Sequence, residues 1–284
     1  LGFYRPGYGY AGLSRHCLEE NRGNEGIWLF DVETGKRRLV VSYSALESFA
    51  GAGSSPVGNF YINHLSVNRE NSRCAFIYYR GMNRKNLRAH LITCGMDGEN
   101  MHRVTSGFIS HYGWGPAGRL VVWCGPDDGL ETSDEKRRSA GKVVARRIFK
   151  ALGEPAWLRE HILQRVRRRL FGHKFRFFED MRGSEKAVPG DILSSDGHPS
   201  FSNDGRWMLV DTYPDAGNRS RVFLVGISGM KRIMLGEFSS PSHLKGVVRC
   251  DLHPRFSPDN TLVCIDSIHE GSRQMYIIKS GLQV

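Results

Sequence analysis

HPSFSNDGRWMLVD, residues 198–211, opens on a histidine, sets an aromatic residue three places on, turns through Asn-Asp-Gly and closes on an apolar run. The phrase returns as HPRFSPDNTLVCID at 253–266, as HYGWGPAGRLVVW at 111–123 and as HLSVNRENSRCAFIYY at 64–79. A unit recurring at this period is one supersecondary element that cannot bury its apolar face alone, which is the signature of a propeller or array. The reading is therefore an all-β chain folded as a β-propeller. Equivalent positions of a radial repeat face one region, so four histidines in one register are expected to converge near the axis.

Working outward, the histidines are spaced by 47, 87 and 55 residues. The long middle interval fits a blade of ordinary length plus an insertion of about 40 residues. Upstream, 27–42 reads as a hairpin around VETGK, 50–58 (AGAGSSPVG) as a linker, and the aromatic, glycine-rich start at 1–22 as a strand and its turn. The chain begins at Leu1, and GIWLFDVETGKRRLVV looks like the outer half of a blade whose inner half is not obvious upstream. The expectation is one propeller domain over 1–284, seven-bladed when complete, with its N-terminal part missing and a helical insertion at 127–172. The 33 glycines are scattered through turn phrases rather than gathered in a tract, as many short strands require. No stretch approaches the ~18 to 20 apolar residues of a membrane-spanning helix.

Charge is concentrated in the insertion. Residues 136–169 carry twelve Lys/Arg against two Glu, a net of +10 within a chain whose total is +11. Val144, Ile148 and Leu152, then Leu158, Ile162, Val166 and Leu170, recur at helical spacing with arginines between, and Pro155 separates two amphipathic helices. Such a hairpin suits an anionic membrane surface, an acidic glycan, or a solvated lid. Nucleic acid is the least supported partner, because no recognition motif accompanies the charge.

The six cysteines form no CxxC pair and no regular disulfide spacing. Cys74, Cys124 and Cys264 fall in or beside apolar runs and read as buried thiols. Cys250 differs, standing in RCDLHPR three residues before His253.

HPSFSNDGRWMLVDTYPD and RCDLHPRFSPDNTLVCIDSIHEGSRQMYII, with SHYGW upstream, resemble the WD40-like, TolB-type propeller unit. Within that group they are similar to oligogalacturonate lyases and, more distantly, to ulvan lyases. The resemblance implies a divalent metal, manganese in most members, held on the axis by histidines of neighbouring blades and a glutamine three residues before one of them. It assigns His198 and His253 as ligands and puts Cys250 in the glutamine's place; Cys250 or Asp251 would complete the set, and a thiolate favours zinc over manganese. The chain departs from the pattern at Arg255, where those enzymes carry a further histidine.

Breaking a uronate polymer by β-elimination requires neutralising the carboxylate beside the reacting carbon, removing the C5 proton and assisting the departing oxygen. His111 is the first candidate base and His64 the second; Arg255, or Arg219 or Arg221, can clamp the carboxylate, and Tyr213 is a possible acid. Asp204 and Asp259 read as turn residues, and Trp114, Phe201 and Phe256 as wedges between blades. Two functions remain open at this point. One is metal-assisted lysis of an acidic oligosaccharide or polysaccharide; the other is a non-catalytic propeller that binds a glycan or protein partner, with the basic hairpin contacting a membrane or partner.

Overall fold

The computed structural model describes residues 23–50, 59–81, 88–127, 172–183, 185–244 and 248–282. The expected strand within 1–22, most of the linker and both amphipathic helices of the basic insertion lie outside the described residues. The chain divides into two compact units, residues 1–106 and 107–284.

In the first unit, β1 (Gly26–Phe30) and β2 (Arg37–Ser42) form the expected antiparallel hairpin. Its turn closes because Asp31 Oδ1 accepts from the backbone N–H groups of Glu33 and Thr34, and Gly35 supplies the left-handed φ of 67°. Ser42 then caps the short helix α1 (Tyr43–Phe49), accepting from Ala45 N at 3.0 Å. The helix buries Leu46 against the next sheet, a meander of β3 (Asn59–Val67), β4 (Arg73–Gly81), β5 (Arg88–Gly95) and β6 (His102–Gly107).

The second unit holds three more antiparallel sheets. The first is β7 (Ile109–Trp114), β8 (Arg119–Cys124), β9 (Lys174–Glu179) and β10 (Glu185–Ala187). The second is β11 (Ser200–Phe201), β12 (Trp207–Asp211), β13 (Arg219–Gly226) and β14 (Arg232–Ser239). The third, β15 (Arg255–Phe256), β16 (Leu262–Ser267) and β17 (Gln274–Lys279), has three strands among the described residues. Up-and-down four-stranded sheets whose first strands lie side by side are propeller blades, and the chain is an all-β propeller of this kind.

Strand alternation explains how the blades stack. Met208 and Val210 point one way, onto Val121, Trp123, Phe175 and Phe177 of the preceding blade. Leu209 points the other way, with Val222 and Leu224, onto Leu252, Val263 and Ile265 of the following one. At the inner edge, Ser200 Oγ donates to Pro254 O at 2.7 Å and Asn203 N to Asn260 Oδ1 at 2.7 Å, fixing one blade against the next. Gly113 lets β7 approach its neighbour, since a Cβ there would lie 2.4 Å from Pro199 O.

In the phrases that open at His198 and His253 the turn is held by its aspartate. Arg206 N donates to Asp204 Oδ1 at 2.9 Å and Thr261 N to Asp259 Oδ1 at 3.1 Å, so both aspartates serve the turns. The basic insertion leaves from the β8–β9 connection. Pro126 and Gly172, beside its two flanks, are adjacent, a Cβ on Gly172 lying 3.3 Å from Pro126 Cγ.

Candidate functional site: a carboxylate-anchored histidine cluster

Three of the four repeat histidines belong to the second unit, and their imidazoles are packed in a row. The ring centroids of His111 and His198 are 4.2 Å apart, and those of His198 and His253 also 4.2 Å. His198 and His253 come just before the inner strand of a blade and His111 lies in the first half of one, at the end where β8, β12 and β16 finish. Ile109 pairs with Cys124, the last residue of β8, just ahead of His111.

A carboxylate stands at the Nδ1 edge of every ring. His111 Nδ1 is 3.0 Å from Asp196 Oδ1, and Ser110 Oγ donates to Asp196 Oδ2 at 2.5 Å. His198 Nδ1 is 3.0 Å from both oxygens of Asp211. His253 Nδ1 lies 3.4 Å from Asp266 Oδ2. At His111 and His198 the ionised carboxylate only accepts, so it selects the tautomer with the proton on Nδ1 and turns the Nε2 lone pair outward, the arrangement that orients histidine as a metal ligand or a base.

Asp211 is the pin of the cluster. Its side chain is 1 % exposed, and besides the His198 ring it accepts from His198 N at 2.6 Å and His253 N at 3.0 Å. Gly197 makes this possible, because a Cβ there would sit 2.0 Å from Asp211 O. Burial pushes the Asp211 carboxyl upward, yet the His198 charge and hydrogen bonds outweigh it and hold the group below the usual carboxylate range. His198 is the mirror case: burial works against its charge, but Asp211 prevails and raises it. In His253 burial dominates, reinforced by the neighbouring His198, and its value is lowered.

Facing these rings are Asp251, Arg249 and Tyr213. Ligand atoms of His198, Asp251 and His253 all lie within 4.8 Å of one another, close enough for one cation. His198 Nε2 is buried and has no hydrogen-bond partner among the described residues, an orphaned acceptor of the kind a metal satisfies. The donor set of two imidazoles and a carboxylate fits zinc or manganese. Arg249 grips Asp251 through both nitrogens, at 2.5 and 2.8 Å, while its guanidinium lies 4.2 Å over the Tyr213 ring. Tyr213 OH reaches His111 Nε2 at 3.4 Å. Burial, and then the carboxylates of Asp196 and Asp251, raise the phenol and keep its proton in place.

The remaining sequence candidates fall elsewhere. Cys250 is buried and its thiol is pushed up by that burial; its neighbour Asp251, not Cys250, belongs to the cation-sized group. Arg255 is 57 % exposed, 3.6 Å from Asp266. Arg221 is held between Asp215 and Glu237, each at 2.7 Å, and Arg219 lies 3.9 Å from Glu237. His64 sits on β3 of the first unit, at the bulge between Asn63 and Ser66 with φ of 55°. The sequence reading missed Asp196, Asp211, Asp266 and Arg249. A signal existed for two of them: Asp211 and Asp266 each follow their histidine by thirteen residues and end the apolar run.

No protein-family model matches the chain, and no curated protein matches it. Among solved structures, it is similar to TolB from Acinetobacter baumannii, with 15% identity and a TM-score of 0.43 over 89% of this chain and 51% of that one. A putative TolB from Agrobacterium tumefaciens gives 11% identity and 0.41 over 89% and 84%. A prolyl endopeptidase gives 11% and 0.47 over 89% and 30%. The chain thus spans about half of the first of these proteins and under a third of the last.

Proposed function

We propose that this propeller is a metal-assisted lyase acting on a uronate-containing glycan by β-elimination. The observation that carries the reading is the row of imidazoles with carboxylates at their Nδ1 edges, ending in a cation-sized group of His198, Asp251 and His253. The likeness of the HPSFSNDGR and RCDLHPRFSPD phrases to oligogalacturonate lyases points the same way.

His198, His253 and Asp251 would hold a divalent cation, which when bound withdraws charge from the uronate carboxylate and acidifies the C5 proton. His111 supplies the base. Its Nδ1 is fixed on Asp196, so Nε2 carries the lone pair that takes the C5 proton, and Asp196 stabilises the imidazolium that results. As that C–H bond breaks, the C4–O bond breaks and a C4–C5 double bond forms. Tyr213 retains its proton and lies beside His111, a position from which it hydrogen-bonds or protonates the departing oxygen. Arg255, largely exposed, suits the carboxylate of a neighbouring sugar. The basic segment 136–169 is taken as a contact for an anionic membrane or for the glycan itself.

One observation favours the second reading, a non-catalytic glycan- or protein-binding propeller. Asp251 is already paired with Arg249, so the carboxylate of the group has a cation beside it without a metal. Metal analysis of the purified protein, followed by incubation with uronate oligosaccharides and manganese, zinc or calcium, separates the two. Stoichiometric metal with ultraviolet absorbance of the unsaturated product supports the lyase. Glycan binding without product supports the binding module and ends the catalytic reading.

A further inference from the structure

Cys74 and Cys94 stand directly opposite one another in the register of β4 and β5. Their sulfurs are 3.2 Å apart, on the face of the sheet that also buries Phe76, Tyr78 and Ile92. Directly opposed residues of an antiparallel pair have Cα atoms ~4.5 to 5.5 Å apart, inside the ~4.4 to 6.8 Å range that a disulfide spans. The register thus places the two residues within the Cα separation that a disulfide spans, and both thiols are free.

We propose that Cys74 and Cys94 form an oxidative modification site, a dithiol that a peroxide converts to a reversible cross-strand disulfide. Cys74 is the attacking sulfur. The hydrogen bond between the two sulfurs, aided by the Arg73 charge, holds Cys74 below the usual thiol range, whereas Cys94 is raised by that same contact and by burial. The Cys74 sulfur attacks one peroxide oxygen, the O–O bond breaks, and the departing hydroxide takes up the thiol's proton as water, leaving a sulfenic acid. The Cys94 sulfur then attacks the Cys74 sulfur, the S–O bond breaks, and hydroxide leaves with the Cys94 proton as a second water. Two thiols lose two electrons and one peroxide gains them.

Access follows from position. Both sulfurs are buried, at 4% and 0% exposure. They lie one rung from the end of the β4–β5 ladder, however, where Arg73 pairs with Gly95 and the flanking turns begin. Opening a single rung admits a small oxidant without unfolding the sheet.

The test treats the reduced full-length chain with hydrogen peroxide, alkylates it under denaturing conditions and maps the unreduced peptides by mass spectrometry. The expected product is one linked pair, Cys74 with Cys94, two hydrogens lighter than the separate peptides and reopened by dithiothreitol. Alkylatable thiols should drop from the six of the sequence to four. In Cys94→Ser the link should vanish and Cys74 should progress to the sulfinic acid. Full alkylation of both residues at a dose that oxidises half-buried Cys264 overturns the proposal. So does oxidation of Cys74 without a link, or pairing with a different cysteine. The wild-type peptide map decides the matter even if Cys94→Ser does not fold.

Discussion

Replacing Asp211 by asparagine removes the charge on which two histidines depend while keeping the side chain's shape. Three donors converge on this carboxylate: His198 N, His198 Nδ1 and His253 N, at 2.6 to 3.0 Å. An amide retains one accepting oxygen but turns the other position into an N–H that faces a donor. Hydrogen bonds to a charged group are worth ~1.5 to 3 kcal/mol each, and breaking a buried pair from one side costs ~3 to 5. Because His198 can discharge in response, the expected loss is about 2 to 4 kcal/mol, read as a lower urea midpoint at pH 6. The pH dependence is signed. The raised His198 value contributes stability that is fully present below about 6.5 and fades as pH rises through the folded value. The depressed Asp211 value contributes stability present above about 3.9 and lost as pH falls through its folded value. Metal-free wild type should therefore lose stability at both edges of this window, and Asp211→Asn should show a flatter profile. Metal affinity should also drop ~10- to 100-fold, the usual effect of removing an outer-shell partner. A midpoint within ~0.5 kcal/mol of wild type, with an unchanged pH profile, refutes the assignment of Asp211 as the pin.

His111→Ala should leave metal stoichiometry intact and reduce unsaturated-product formation by ~10² to 10⁴-fold, measured by ultraviolet absorbance; equal turnover removes His111 as the base. Gly113→Ala should cost about 1 to 3 kcal/mol, because its methyl group would press on Pro199 O, whereas Gly229→Ala, with nothing nearer than 3.9 Å, should stay within about 0.5; the comparison is a pair of denaturation curves. Deleting residues 136–169 should preserve the β8–β9 pairing, since Pro126 and Gly172 are already adjacent, and should abolish salt-sensitive binding to anionic vesicles. Vesicle binding that persists after the deletion excludes the membrane role.

The blades were legible because every level of the sequence agrees: a turn, closed by aspartate in two of the four phrases, an apolar run, and a period that returns them. The site was legible in part. Register grouped His64 with His111, His198 and His253, and the rings of the last three pack in a row, whereas the carboxylates beside two of them stand at the far end of the same phrase, beyond the apolar run. Asp211 and Asp266 end buried runs, where an aspartate makes sense only with a partner, and the thirteen-residue step back names that partner. His111 breaks the rule, since Cys124 stands thirteen residues on, and its carboxylate comes instead from Asp196 in the lead-in to the next blade. That substitution crosses between blades and leaves no periodic trace. The choice between Cys250 and Asp251 was a question of phase. In RCDLHPR the apolar Leu252 is drawn into the core between blades, and in an extended segment alternate residues face opposite ways. Cys250 therefore goes inward with Leu252, at 5% and 2% exposure, while Arg249, Asp251 and His253 share the other side. Counting three residues back from His253, as the family pattern does, lands on the core side. Counting two lands on Asp251, the carboxylate of the cation-sized group, and the leucine between them is the residue that decides which count applies.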